Sequence, residues 1–331
     1  MNKLSIERMA RRSGLALIAC IITSLGYAKD LVLAENQPPE HILVQSEQMM
    51  SGRLADLSKG ALKLDIRVNG QLGDEAKAWA SIKAGTLDMA RVNLATLSKD
   101  LPSVKLLSLP YLFRSRDHMW NVLDGDFGQR IISEAEKNGA IVLTYYDSGT
   151  RSFYSSKRAI RSVADFKGLR IRVQDSPVNK ELISSLGATP VVLPYDKVAD
   201  AFRDGSIDAA ENNTPSYVST GHYKLAKYYS LDEHSSVPEV LVISRTAWGK
   251  LSPAEQTALR AAAKESATYM RKLWAESETQ SLTKAKKEGV IVTEKSQIAM
   301  EGIESYAVKL YSKFITDSKD LETIVNILRQ K

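Results

Sequence analysis

The sequence predicts an α/β protein of about two domains, and three observations carry that expectation. Short apolar segments alternate with helical ones from residue 62 to residue 210, the pattern of mixed, mostly parallel sheets whose strands are joined by helices. The chain has 331 residues, more than one compact core ordinarily organises. After residue 252 the alternation gives way to a long segment rich in Ala, Glu, Lys and Arg, which predicts long C-terminal helices.

The N-terminus has the form of an export signal. Lys3, Arg8, Arg11 and Arg12 give a positive start, residues 14–26 an apolar run, and Gly26-Tyr27-Ala28 a small-residue cleavage site, so residues 1–28 are expected to be removed by cleavage after Ala28. The run is shorter than the roughly 18 residues that a membrane-spanning helix needs. The expected location is therefore periplasmic, and the mature chain is not expected to span a membrane. Leu17-Ile18-Ala19-Cys20 also has the form of a lipoprotein processing box, which leaves lipidation of Cys20 open. Arg11-Arg12 is not followed by a full twin-arginine signal.

Cys20 is the sole cysteine, so cleavage after Ala28 leaves no disulfide, thiol nucleophile or thiolate metal site. Cleavage removes four basic residues and one acidic residue, lowering the formal charge from +6 to +3. The remaining Lys and Arg are scattered without a basic stripe interleaved with aromatics, which argues against nucleic acid as a partner.

The elements follow in order. Residues 30–33 start a strand, and 44–59 have helical period. Residues 62–68 (LKLDIRV) alternate apolar and polar as a half-buried strand does. A turn at 70–73 leads to a helix over 74–84, whose Asp74 and Glu75 suit the partly positive N–H groups of a first turn. Strands are predicted at 86–92, 141–146, 169–173, 191–193 and from 207 to 210. Between them lie a short turn or helix at 163–167 and helices at 178–186 and 195–203, the former closed by Gly187. Ser252-Pro253-Ala254-Glu255 begins the long helix with an N-cap, a proline at the first position and an acid at the third. Amphipathic helices at 298–314 and 321–328 end the chain.

Catalytic chemistry finds no support in the motifs. The four histidines, His41, His118, His222 and His234, are not spaced as metal ligands. Nucleophile-elbow, Walker and dinucleotide motifs are absent, so no cofactor, metal or catalytic residue is expected. Anion-binding candidates are clearer. Arg170 and Arg172 share one face of LRIRV, and Arg172 reads either as an edge residue or as a bidentate carboxylate clamp, for which a planar, permanently charged fork is suited. Arg151 follows a strand and the turn at Gly149. Asn93, Asn212 and Asn213 fall near strand ends, where open α/β sheets place ligands. Their amides offer donor and acceptor together, and capping turns is their alternative use.

Read together, these segments resemble the solute-binding subunits of TRAP transporters, the DctP-like family. The matches run in order across the mature chain: QLGDEAKAW from Gln71, GTLDMARVN from Gly85, LPYLFRSRDHMW from Leu109 and VLDGDFGQ from Val122. They continue with DSGTRSFYSSKRAIRSVADFKGLRIRVQDSP from Asp147, LGATPVVLPYDKVADAF from Leu186 and GSIDAAENNTPS from Gly205. The resemblance implies a two-domain periplasmic-binding-protein (flytrap) fold with a ligand cleft between the lobes. It divides the chain into 29–148 with 238–277 and 149–237 with 278–331. It implies a receptor, not an enzyme, that captures a small organic acid and hands it to transporter membrane subunits. Arg172 is implied to pair with the ligand carboxylate, with Arg151 nearby. Asn212 and Asn213, Glu75, Asn93, Asn36 and Tyr195 are implied to line the cleft. Ala210 stands where the family carries a glutamine. DMARVN, YYDSGTRSFY and VPEVLVIS are similar to the branch that binds hexuronates such as glucuronate and galacturonate. Thr214 departs from that branch, so a four-carbon dicarboxylate, another sugar acid or a keto acid stays open, as do a secreted sugar-acid-processing enzyme and a sensory receptor.

Overall fold

The structure is a computed structural model describing residues 28–330; the signal through Tyr27, with Cys20, lies outside the described residues. In chain order the strands are β1 (Lys29–Ala34), β2 (Leu62–Arg67), β3 (Met89–Asn93), β4 (Ala140–Tyr146), β5 (Arg151–Ser155), β6 (Arg170–Val173), β7 (Thr189–Val192), β8 (Ala209–Asn212), β9 (Tyr228–Ser235), β10 (Glu239–Ser244) and β11 (Ile291–Thr293). They form two sheets, in the orders β2-β1-β3-β10-β4 and β11-β9-β5-β8-β6-β7. β1 pairs in parallel with β2 and β3, whereas β10 runs antiparallel between β3 and β4. In the second sheet β6 pairs in parallel with β7 and β8, and β5 runs antiparallel to β8 and β9. Both sheets are thus mixed, and the α/β class is as the alternation predicts.

Local chemistry explains where the helices begin and end. Helix α1 (Ile42–Leu57) is capped by His41, whose Nδ1 accepts from the Leu43 N–H at 3.1 Å. Helix α2 (Glu75–Ala84) is capped by Asp74, whose carboxylate accepts from the Lys77 N–H at 2.8 Å. It closes on Gly85 at φ 71°, a left-handed conformation that costs glycine nothing. The long helix Pro253–Lys287 carries the full capping box between Ser252 and Glu255, which satisfies two otherwise orphaned N–H groups.

Three connections cross between the sheets. The chain leaves the first sheet after β4, turns through Gly149 at φ 60° and enters β5. It returns over 236–238 between β9 and β10, and crosses again along the long helix. That helix packs α1 and the first sheet through Leu259, Met270 and Trp274, all fully buried beside Met50 and Leu54. Further along, its Ala285 joins the second-lobe cluster of Tyr154, Tyr217 and Tyr229.

The last helix departs from the expected division, which gave all of 278–331 to the second lobe. The helix Met300–Phe314 does pack there, beside Pro177–Ser185. The helix Ser318–Arg329 instead returns to the first lobe. The His118 ring bonds the Ile327 carbonyl at 2.7 Å, Arg130 donates to Thr323 at 2.8 Å, and Lys105 pairs with Asp320 at 2.6 Å. Its buried Ile324 and Ile327 supply the apolar face that fixes the docking.

Candidate functional site

A cleft of about 370 Å³ opens between the two sheets. It lies where the carboxyl ends of β1, β6 and β8 and the N-terminus of α2 converge. One wall comes from each lobe.

In the second-lobe wall, Ile171 and Val173 of β6 point into the core, fully buried, which turns Arg172 toward the cleft by alternation. Its Nε and Nη2 both donate to the Leu193 carbonyl, at 3.0 and 2.8 Å, which fixes the plane of the fork. Its guanidinium also sits 5.9 Å from the centre of the Tyr195 ring. The residue is only 4% exposed, and among the described residues no carboxylate forms an ion pair with it. Burial pulls its pKa below the ordinary arginine value, against the attraction of Glu211 and together with the repulsion of Arg151. A buried, unneutralised cation facing a cleft gains from an anion.

Arg151 has the opposite circumstances. It is paired with Glu211 through Nε, with Nη2 donating to Glu211 Oε1 at 2.9 Å and to the Glu211 carbonyl at 2.8 Å. Its Nη1 donates to Asn212 Oδ1 at 2.8 Å. Burial alone would raise the Glu211 pKa, yet the Arg151 charge and the hydrogen bonds of His234 and Arg151 hold it at about 2. His234 stacks on Phe153 with centroids 4.2 Å apart and reaches Asp232 at 2.9 Å. Burial would lower its pKa, but Asp232 and Glu211 raise it to about 9. Glu211 thus neutralises Arg151, Asp232 neutralises His234, and Arg172 is left with the uncompensated charge.

The first-lobe wall is built on Arg91 of β3, only 1% exposed. Its Nε donates to Glu35 Oε2 at 2.9 Å and its Nη1 to Glu75 Oε1 at 2.5 Å, with Glu239 Oε2 at 3.2 Å from Nη1. Its Nη2 donates to Glu35 and Asn36. Glu75, Asn36 and Glu239 line the cleft from this buried platform. The two walls meet through side chains: Tyr195 O–H donates to Gln37 Oε1 at 3.4 Å, and Ser216 Oγ lies 3.3 Å from Gln37 Nε2 and 3.1 Å from His41 Nε2. At another point of the rim Lys99 pairs with Asp175 at 2.8 Å.

A family model described as bacterial extracellular solute-binding protein, family 7 (DctP), matches residues 33–317. The chain belongs to this family. Three solved structures of TRAP periplasmic solute-binding proteins share its fold. One from Bradyrhizobium sp. BTAi1, in complex with α/β-D-galacturonate, is 41% identical at TM-score 0.86, covering 90% of this chain and 99% of the other. One from Xanthobacter autotrophicus Py2, with bound β-D-galacturonate, is 38% identical at TM-score 0.86, covering 91% and 100%. One from Chromohalobacter salexigens, with bound D-glucuronate, is 30% identical at TM-score 0.86, covering 91% and 100%.

In this solute-binding protein the cleft brings together Arg172, Arg151, Asn212, Asn213, Tyr195, Glu75 and Asn36. Some of these amides have internal duties too. Asn213 caps the helix Thr214–Ser219 by accepting from the Ser216 N–H at 2.8 Å. Asn212 Nδ2 donates to the Tyr195 hydroxyl at 3.3 Å. Asn93 is not on the cleft wall. Its Oδ1 caps the following turn at Ala95, and its Nδ2 donates to the Val237 carbonyl at 3.2 Å, which fixes the return crossing. Sequence reasoning passed over Arg91, Glu35, Glu211 and Glu239. Arg91 left a signal, a lone charge within the otherwise apolar MARV of β3, but its partners lie in three distant segments. Among the described residues no helix is long and apolar enough to cross a membrane.

Proposed function

We propose that this solute-binding protein captures a hexuronate, glucuronate or galacturonate, and delivers it unchanged to the membrane subunits of a TRAP transporter. The observation that carries the reading is Arg172, a buried cation with its fork fixed by Leu193 and no carboxylate partner among the described residues. A ligand carboxylate supplies the missing charge through two parallel bonds. Relatives of 30–41% identity, with galacturonate or glucuronate bound, support the same ligand class.

The remaining wall fits the uncharged part of a sugar acid. Glu75 and Asn36 offer acceptors, while Asn212 and Tyr195 offer donors and acceptors to hydroxyls. Arg151 acts by holding Asn212 in place, and Asn93 and Asn213 act by fixing the backbone behind the cleft. In this reading the lobes divide at 147–150, at 236–238, within the long helix and at 315–317, and closure around the ligand excludes water, strengthening each charge-assisted bond.

A thermal-shift screen of the mature protein tests the proposal, because a ligand that binds only the folded state raises the midpoint. Glucuronate or galacturonate is expected to give the largest shift among hexuronates, aldonates, keto acids and dicarboxylates. A shift confined to a dicarboxylate rejects the hexuronate. A product detected after incubation with a uronate rejects a purely receptive role.

A further inference from the structure

The first-lobe wall holds more carboxylates than its one guanidinium can balance. Glu35, Glu47, Glu75 and Glu239 surround Arg91 in a buried cluster. Glu35 and Glu75 take its best-aligned bonds. Glu239 has only a poorly aligned contact: its Oε2 stands 3.2 Å from Arg91 Nη1 without a hydrogen bond, and its Oε1 meets Asn93 Nδ2 at 3.5 Å. Glu47, on α1, is buried away from Arg91's bonds and hydrogen-bonds Glu35, carboxyl to carboxyl, a contact that needs a proton on one of the two. The groups facing Glu239 are Arg91 and Asn93 from β3, Glu75 from α2 and Glu35 after β1, with Glu47 behind them and Tyr146 of β4 beside Glu47. Three buried carboxyls and the part-buried Glu75 against one positive charge is an arrangement that a low-dielectric interior relieves by taking up protons. Of the two surplus carboxyls, Glu239 is the one that also lines the ligand cleft.

We propose that Glu239 keeps a proton in the ligand-free protein and serves as a neutral acid at the wall opposite Arg172, reading the uncharged hydroxyl end of the ligand and rejecting a second carboxylate there. This deepens the hexuronate reading and rests on it for the ligand. Protonated, Glu239 presents an O–H donor where Glu75 presents an acceptor, which suits a hydroxyl that must both accept and donate. Ionised, it adds a negative charge to a wall already carrying Glu75, and binding weakens. A hexarate, which carries carboxylates at both ends, meets this wall with its second charge. Burial, with Glu75 and Glu35 alongside, pushes the Glu239 pKa up to about 8 against the pull of Arg91, so the proton is present at neutrality and lost in mild alkali.

Two measurements on the mature protein decide this. The first needs no ligand: carbon-13 spectra of glutamate-labelled protein, wild type and Glu239→Gln, followed from pH 6 to pH 10. A carboxyl titrating far above the ordinary glutamate range and missing from the variant is expected; a wild-type spectrum in which no glutamate assigned to position 239 titrates above pH 6 overturns the proposal. The second is calorimetry of galacturonate, glucuronate and galactarate at pH 6.5 and 9.5, in two buffers of different ionisation heat. Wild-type uronate affinity is expected to fall about ten- to thirty-fold over that range, with nearly one proton taken up per uronate bound at the higher pH. In Glu239→Gln the proton uptake attributed to Glu239 and most of the fall in affinity are expected to disappear, leaving only the smaller effect of His234, which titrates in the same range. A wild-type affinity indifferent to pH without proton uptake, or galactarate binding as tightly as the uronates, overturns the proposal. Failure of both uronates to bind at either pH overturns the hexuronate reading instead, and the ligand-free spectra still judge the proton.

Discussion

Arg172 and Arg151 flank the same cleft and differ in what each already holds. Arg151 is saturated by Glu211 and Asn212, whereas the Arg172 fork leans on a single carbonyl oxygen. Loss of Arg172 therefore acts on binding and loss of Glu211 acts on folding. Arg172→Ala is expected to lose about 2–5 kcal/mol of ligand affinity, read by calorimetry, with the fold intact. Arg172→Lys is expected not to restore it, because an ammonium cannot make two parallel bonds while also holding the Leu193 carbonyl. Near-native affinity in either variant removes the clamp from Arg172. Glu211→Ala strands the buried Arg151 charge and is expected to cost about 3–5 kcal/mol in a denaturant titration.

At the scale of elements, the site depends on the short turn between β4 and β5. Gly149 has φ 60°, and a Cβ placed on it meets Trp274 Nε1 at 2.7 Å and Glu278 Oε1 at 2.5 Å. Trp274 is fully buried in the long helix, so the crossing and that helix cannot both keep their places. Gly149→Ala is expected to cost at least about 1 kcal/mol and to speed amide exchange over 147–150, whereas Gly168→Ala, with open space around its Cβ but φ 77°, carries the backbone cost alone. A smaller loss at Gly149 than at Gly168 removes the steric argument. The cap at Asn213 is a second such dependence. Asn213→Ala frees the Ser216 N–H, is expected to cost about 1 kcal/mol, and loosens the turn from which Ser216 touches Gln37 and His41 across the cleft.

For the whole molecule, the buried ionisable groups set how stability varies with pH. His41 and His222 are buried neutral, and burial lowers the pKa of each to about 3. The unfolded chain binds their protons first, so stability is lost as pH falls from 6.5 toward 3. Glu211, held at about 2, adds a loss between 4.5 and 2. His234 has the opposite sign. Raised to about 9, it stabilises fully below 6.5, and that contribution disappears between 6.5 and 9. Glu239, raised to about 8, also favours the folded state less as pH climbs from 4.5 to 8. The melting midpoint is therefore expected to peak in weak acid, near pH 6, and to fall on both sides. His234→Gln is expected to lower the peak and flatten the decline between 6.5 and 9. A midpoint rising steadily to pH 9 contradicts the charged His234.

The sequence by itself determined what neighbours along the chain can enforce. The alternation of strands and helices, the Ser252–Glu255 capping box, the Asp74 cap, and the buried Ile171 and Val173 that turn Arg172 outward all act within a few residues. The family likeness of the ordered segments added the two-lobed cleft. Other features were out of its reach. β9 and β10 lie four residues apart in sequence yet belong to different sheets, because each strand's place depends on the partner it pairs with. Asn93 looked like a cleft residue from its position at a strand end, and only the returning chain at Val237 gave its amide an inward partner. The final helix reads as an amphipathic segment from either lobe; the first lobe claims it because Lys105, His118 and Arg130 are there to meet it. The Arg91 cluster is the fullest case. Glu35, Glu75 and Glu239 come from three remote segments, and the sheet order β1-β3-β10 gathers them around one guanidinium. A buried charge is stabilised only by groups brought within bonding distance in three dimensions, so its identity is written in the sequence while its function is decided by the tertiary fold.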